Sequence, residues 1–159
     1  MTHSKQGKDL AHRLQEVLLD GKWIANTNVQ DQVSLVNWEQ AIQIVGSLNS
    51  IAALTFHLNY YLEGLSQVLE GGPLAIRDKY SFDLPRIKSD EDWNRLKTNF
   101  LANAQRFIDL VKLLSDDQLA ADFTNPDYGT YQRNIEAVVE HSYYHLGQIS
   151  LLRKWISER

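Results

Sequence analysis

The chain has 159 residues, 43% hydrophobic and 23% charged, the size of one globular domain (residues 1–159) with a single sizeable core. Its 16 Lys+Arg against 20 Asp+Glu leave a formal net charge of -4, so there is no overall basic field to hold a phosphate backbone, and nucleic acid is not an expected partner. With no Cys, disulfides, thiolate metal sites, iron–sulfur clusters and a cysteine nucleophile are excluded, and any metal must be held by nitrogen and oxygen.

The polar start MTHSKQGKDL, and the lack of any apolar run approaching about 18 residues, lead us to expect a soluble cytoplasmic protein with no membrane partner. Leu10, Leu14, Val17 and Leu18 recur at helical spacing and predict a first helix from about Ser4 to Asp20, ended by Gly21. KWIANTNVQDQVSLV has no sustained period and reads as a loop anchored by Trp23 and Ile24, its polar side chains able to overhang a site. Asn37 with Gln40 forms a capping box for a long second helix running to Glu70, about 50 Å in length, with Gly46 as a bend and Gly71-Gly72-Pro73 as the stop. Residues 73–88, with Pro73 and Pro85, read as a loop packed over the body, with a short strand pair as the weaker option. Ser89 opens a third helix with Asp90, Glu91 and Asp92 in its first turn and the stripe Trp93, Leu96, Phe100, Ala104, Phe107, Val111 and Leu114. Ser115 and Gln118 cap a short helix before the Asn125-Pro126-Asp127 turn, and a last helix covers Thr130 to Ser157. The expected fold class is all-α: a four-helix bundle with a long connection between the second and third helices and a short extra helix before the last.

The chemistry lies in the five histidines. His3 and His12 read as solvated. In VEHSYYHLGQ, His141 and His145 leave one helix face about one turn apart, a spacing that grips a single metal ion. At about 100° per residue they share a stripe with Asn134, Val138, Gln148, Leu152 and Trp155. Two partly buried histidines bonded to backbone or to Tyr143 and Tyr144 satisfy the same spacing, so the pair alone is weak. His57 sits on the second helix on a face with Ser50, Ala53, Leu54, Tyr61, Gly64 and Val68, where small neighbours give either close helix packing or a pocket. Three inward histidines would strand polar nitrogens in an apolar interior, and a divalent metal resolves that cost. The candidate metal residues are His57, His141 and His145, with Zn or Ni ahead of Fe, Mn or Cu, and three protein ligands would describe an open site. Asn134, Gln148, Tyr61 and Tyr144 are candidate contacts to a bound water or substrate, and Glu140 a candidate partner for an imidazole N–H. The chain contains no HExxH, no Glu-x-x-His, no Gly-rich phosphate loop and no GxSxG, and no general base can be named.

GTYQRNIEAVVEHSYYHLGQISLLRK together with His57 in LTFHLNYYLEGL resembles the DinB/YfiT-like superfamily of four-helix bundles, in order and spacing over nearly the whole chain. The resemblance implies that His57, His141 and His145 are a metal triad in a protein that is commonly a homodimer. It also implies an activity among metal-dependent hydrolases, or among transferases and isomerases using low-molecular-weight thiols such as bacillithiol or mycothiol. Two classes of function follow. In one, a metal-dependent enzyme activates water or a thiol cosubstrate on a small-molecule substrate. In the other, a non-catalytic bundle binds a metal or a small molecule, which predicts a closed coordination sphere or an occluded pocket. A dimeric adaptor whose histidines are merely buried is a third, less favoured case, and exposed Trp38, Trp93 or Tyr80 could serve an interface as easily as the core.

Overall fold

The computed structural model describes residues 3–159, and among them there are seven α-helices and no strand. Four are long or central to the core: α1 (Lys5–Gln15), α4 (Ile51–Leu69), α5 (Asp90–Lys112) and α7 (Tyr131–Ser157); α2 (Val29–Ser34), α3 (Trp38–Ala41) and α6 (Asp116–Ala120) are short. α1 and α4 each pack against both α5 and α7, which closes a four-helix bundle. None of these helices is long and apolar enough to cross a membrane.

Local chemistry explains most boundaries. The hydroxyls of Ser4, Ser50, Ser89, Ser115 and Thr130 accept backbone N–H groups of the following turn, and each opens its helix where the free donors would otherwise be unpaired. The α5 stripe is buried as its spacing requires, and Trp93 is core, its indole N–H donating to the Val36 carbonyl at 3.1 Å. It is therefore not an interface aromatic, whereas Tyr80 is exposed.

Three expectations need correction. The single helix from Asn37 to Glu70 is broken: the Asn37–Gln40 capping box forms, but it caps only α3, and residues 42–50 are irregular. Ile42, Ile44 and Val45 are poor helix formers, and Gly46 takes φ 58, the left-handed region that ends a helix. Ser50 then restarts the chain as the α4 cap, accepting from Ala53 N–H at 3.1 Å, so α4 is about 28 Å long rather than 50. The 22–36 segment is not a loop anchored by Trp23 and Ile24, which are 89% and 63% exposed. Its anchor is α2, where Asn28 accepts from Asp31 N–H at 2.8 Å and Val29 and Val33 are buried against α7 and the π-turn Glu16–Asp20 that extends α1. Finally, Trp155 lies on the α7 stripe by angle but is 53% exposed, because at this end of the helix the buried face has moved to Leu152 and Ile156, which are 4% and 5% exposed.

Residues 73–88 form a strap across α4, carrying a 3₁₀ turn at Asp78–Tyr80 and no strand. Its seat is Gly64: a Cβ there would lie 2.0 Å from Ile76 Cγ2, so the space the glycine leaves is filled by the strap and not by a facing helix. Gly64→Ala is expected to destabilise the protein by about 1–3 kcal/mol through this overlap. In a thermal or urea unfolding series, Ile76→Ala should then cost less in the Gly64→Ala background than in the wild type, since the two changes act on one contact.

Candidate metal centre

The interior face of α4 carries His57 and that of α7 carries His141 and His145, one helical turn apart. His57 and His145 are buried and His141 is half-buried. Their Nε2 atoms converge: His57 Nε2 lies 3.1 Å and His145 Nε2 2.9 Å from His141 Nε2. The ligand atoms of all three lie within 4.8 Å of one another, and among the described residues no carboxylate joins the group.

The opposite ring nitrogens decide the tautomers. His57 Nδ1 faces the Ser81 carbonyl at 3.3 Å and His145 Nδ1 faces Gln148 Oε1 at 2.7 Å. Both partners are acceptors, so both Nδ1 atoms carry the proton and both Nε2 atoms present lone pairs. Those two lone pairs point at one nitrogen, and His141 Nε2 can direct a proton to only one of them. At least one contact therefore sets lone pair against lone pair unless a cation sits between them. The donor set, three imidazoles with outward N–H groups anchored, fits a divalent transition metal.

Protonation is a poor alternative. Burial lowers the pKa of all three histidines, most clearly His141, which is brought down to about 4 by burial and then by the neighbouring His145 and His57 charges. Burial leads for His57 too, followed by the charge of His145.

The surroundings include residues that the sequence did not mark. Phe82 stacks on the His57 ring at 4.0 Å and 8°, and Ser81, from the same strap, holds its Nδ1–H. Nothing in the spacing of a loop announces such contacts. Tyr61 puts its ring edge on His57 and His141, at 5.1 and 5.5 Å, and donates its hydroxyl to Asp78 Oδ1 at 2.5 Å. Burial, then this hydrogen bond, pushes the Tyr61 pKa up to about 12, so the phenol keeps its proton. Gln148 touches the site as the angular count predicts. Tyr144 meets His145 edge-on at 5.0 Å while remaining 65% exposed. Asn134 lines the adjoining cavity, but its amide donates to the Tyr128 and Thr130 carbonyls at 2.8 Å. Glu140 does not hold an imidazole: it points outward and pairs with Arg133 at 3.3 Å. His12 is likewise outside the site, paired with Glu16.

A cavity of about 610 Å³ opens on His141, lined also by Tyr61, Ile76, Asp78 and Val138. The centre is therefore reachable by a small molecule.

The sequence profile of the DinB superfamily matches residues 22–149, a span that contains all three histidines. The chain belongs to the DinB superfamily, and its histidine cluster fits a metal-binding site. No curated protein and no solved structure matches the chain.

The lowered histidine pKa values make a signed prediction for the metal-free protein. Between the lowered values and 6.5, the unfolded chain binds more protons than the folded one, so stability is present above about pH 6.5 and is lost as pH falls toward about 4. Melting of chelator-treated protein across this range should show that loss, and His141→Asn should flatten it.

Proposed function

We propose that His57, His141 and His145 hold a divalent transition metal, Zn or Ni ahead of Fe, Mn or Cu, and that the protein is an enzyme activating water or a thiol cosubstrate, of hydrolase or thiol S-transferase type. The observation that carries this reading is the pair of tautomer-fixed lone pairs aimed at His141 Nε2, next to a cavity of about 610 Å³. A bound ion would supply Lewis-acid polarisation and lower the pKa of a water or thiol that reaches it. Three imidazoles bring no charge of their own, so the ion would keep its full positive charge for that purpose. With no Cys in the chain, a sulfur nucleophile would have to come from the cosubstrate.

The chain's own residues supply the rest. Ser81 and Gln148 orient the imidazoles. Phe82 and the Tyr61 ring keep water from the His57 face. Asp78 lines the same cavity as His141 and is the carboxylate there that could take a proton, with the Tyr61 hydroxyl fixing its orientation. An open cavity beside His141 favours this reading over a structural metal.

Elemental analysis of wild type beside His57→Ala and His141→Ala, with melts in the presence and absence of chelator, tests the assignment. One equivalent of metal in the wild type, a large loss in both variants and a chelator-sensitive wild-type melt are expected; near-equal metal content in all three overturns it.

We also propose a homodimer. Its support is the outward side of α7, where Tyr144, Leu151 and Trp155 are 65%, 66% and 53% exposed at helical spacing. Sedimentation should show a wild-type dimer and a helical monomer for Leu151→Glu; a wild-type monomer removes the proposal.

A further inference from the structure

The cavity beside His141 holds a second piece of chemistry. Leu65 of α4, Ile76 of the strap, Phe123 and Val138 make its walls largely apolar, and two charged residues of the strap, Arg77 and Asp78, also line it. These two charges are not equivalent. The Asp78 carboxylate is engaged by the Tyr61 O–H at 2.5 Å. The Arg77 guanidinium has no ion-pair partner among the described residues, whereas Arg95, Arg106 and Arg133 each have a carboxylate within reach.

Arg77 is held in place even though its charge is left free. The Tyr60 hydroxyl accepts its backbone N–H at 2.7 Å and donates to its carbonyl at 3.0 Å. One hydroxyl thus fixes both polar backbone groups of the residue, and the side chain starts from a defined point on the cavity wall. The neutral Tyr61 phenol leaves the Asp78 charge in place but occupies one of its oxygens, whereas the Arg77 guanidinium makes no hydrogen bond among the described residues; it is the charged group of the cavity wall whose bonding capacity is unused.

We propose that this cavity binds a small organic carboxylate with an apolar body: the hydrocarbon lies against Leu65, Phe123 and Val138, the carboxylate sits on Arg77, and the reacting end faces His141. The inference rests on the histidines being the reacting centre and names the substrate class for it. The planar guanidinium fork matches a carboxylate in shape and charge, and a volume of about 610 Å³ suits a small molecule.

The test uses metal-free protein, so that a carboxylate cannot report binding to a metal. Hydrocinnamate, hydrocinnamyl alcohol and hydrocinnamylamine share one apolar body and differ only in the end group, and each is titrated at millimolar concentration while amide resonances are followed. Hydrocinnamate is expected to bind about five- to tenfold more tightly than the alcohol, and more tightly than the amine, and to move resonances around Leu65 and Val138. Arg77→Gln should remove the advantage of the acid and Arg77→Lys should keep part of it, with alcohol binding unchanged in both. Equal affinity for acid and alcohol, an advantage that survives in Arg77→Gln, or no binding by any of the three overturns the proposal. Failure of the metal reading would show separately, in the metal content of the histidine variants.

Discussion

The Nδ1–H groups of His57 and His145 are committed outward, to the Ser81 carbonyl and to Gln148 Oε1, and the character of the centre follows from those two donors being already used. Had either nitrogen faced water, its ring could switch tautomer and the three imidazoles could satisfy one another. With both fixed, inward lone pairs outnumber the protons available to meet them. Burial reinforces the effect by disfavouring the charged forms, and the close approach of the three rings adds to it, since a charge on one disfavours a charge on the next. The helices bring the rings together, but the outward hydrogen bonds turn them into electron-pair donors.

One of those bonds depends on the strap, and the strap depends on α4. Gly64 gives Ile76 its seat, Tyr60 holds the Arg77 backbone, Tyr61 holds the Asp78 carboxylate, and Phe82 covers the His57 ring. Successive turns of one helix thus supply a hole, two hydroxyls and an inward imidazole, all facing the same sixteen-residue segment, residues 73–88. The hydroxyl contacts on this surface are individually modest, since exposed polar pairs compete with water. Their value lies in fixing the backbone of a segment that has no regular structure of its own.

The bundle and the triad were legible because both follow from periodicity. The α5 stripe from Trp93 to Val111 is buried as spacing requires, and the four-residue step from His141 to His145 puts both rings on one face regardless of what lies opposite. The break at residues 42–50 was less legible: a capping box at Asn37 and a second cap at Ser50 both fit helical starts, and the reading ran through the β-branched stretch and Gly46 between them. The role of α2 was hidden because only Val29 and Val33 carry its period, too few to stand out from a polar segment. Ser81, Phe82 and Asp78 were beyond reach for another reason. Their positions depend on how an irregular segment lies across a helix, and no short-range pattern encodes that. Glu140 was misjudged through proximity in sequence, since the residue beside a ligand on a helix points about 100° away from it.

The two kinds of residue sit on different parts of the chain, with consequences for how the protein can change. The nitrogens belong to α4 and α7, whose inward faces are constrained by the core on every side, while Leu74, Ile76 and Arg77 belong to a surface segment that the core does not constrain in the same way. Replacing Leu74 or Arg77 would redraw the outline or charge of the chamber and leave every imidazole in place, whereas Ile76 also seats the segment that brings the Ser81 carbonyl to His57. The strap therefore behaves as an exchangeable faceplate on a fixed set of nitrogen donors, and its cavity-facing side chains can be re-engineered without touching those donors.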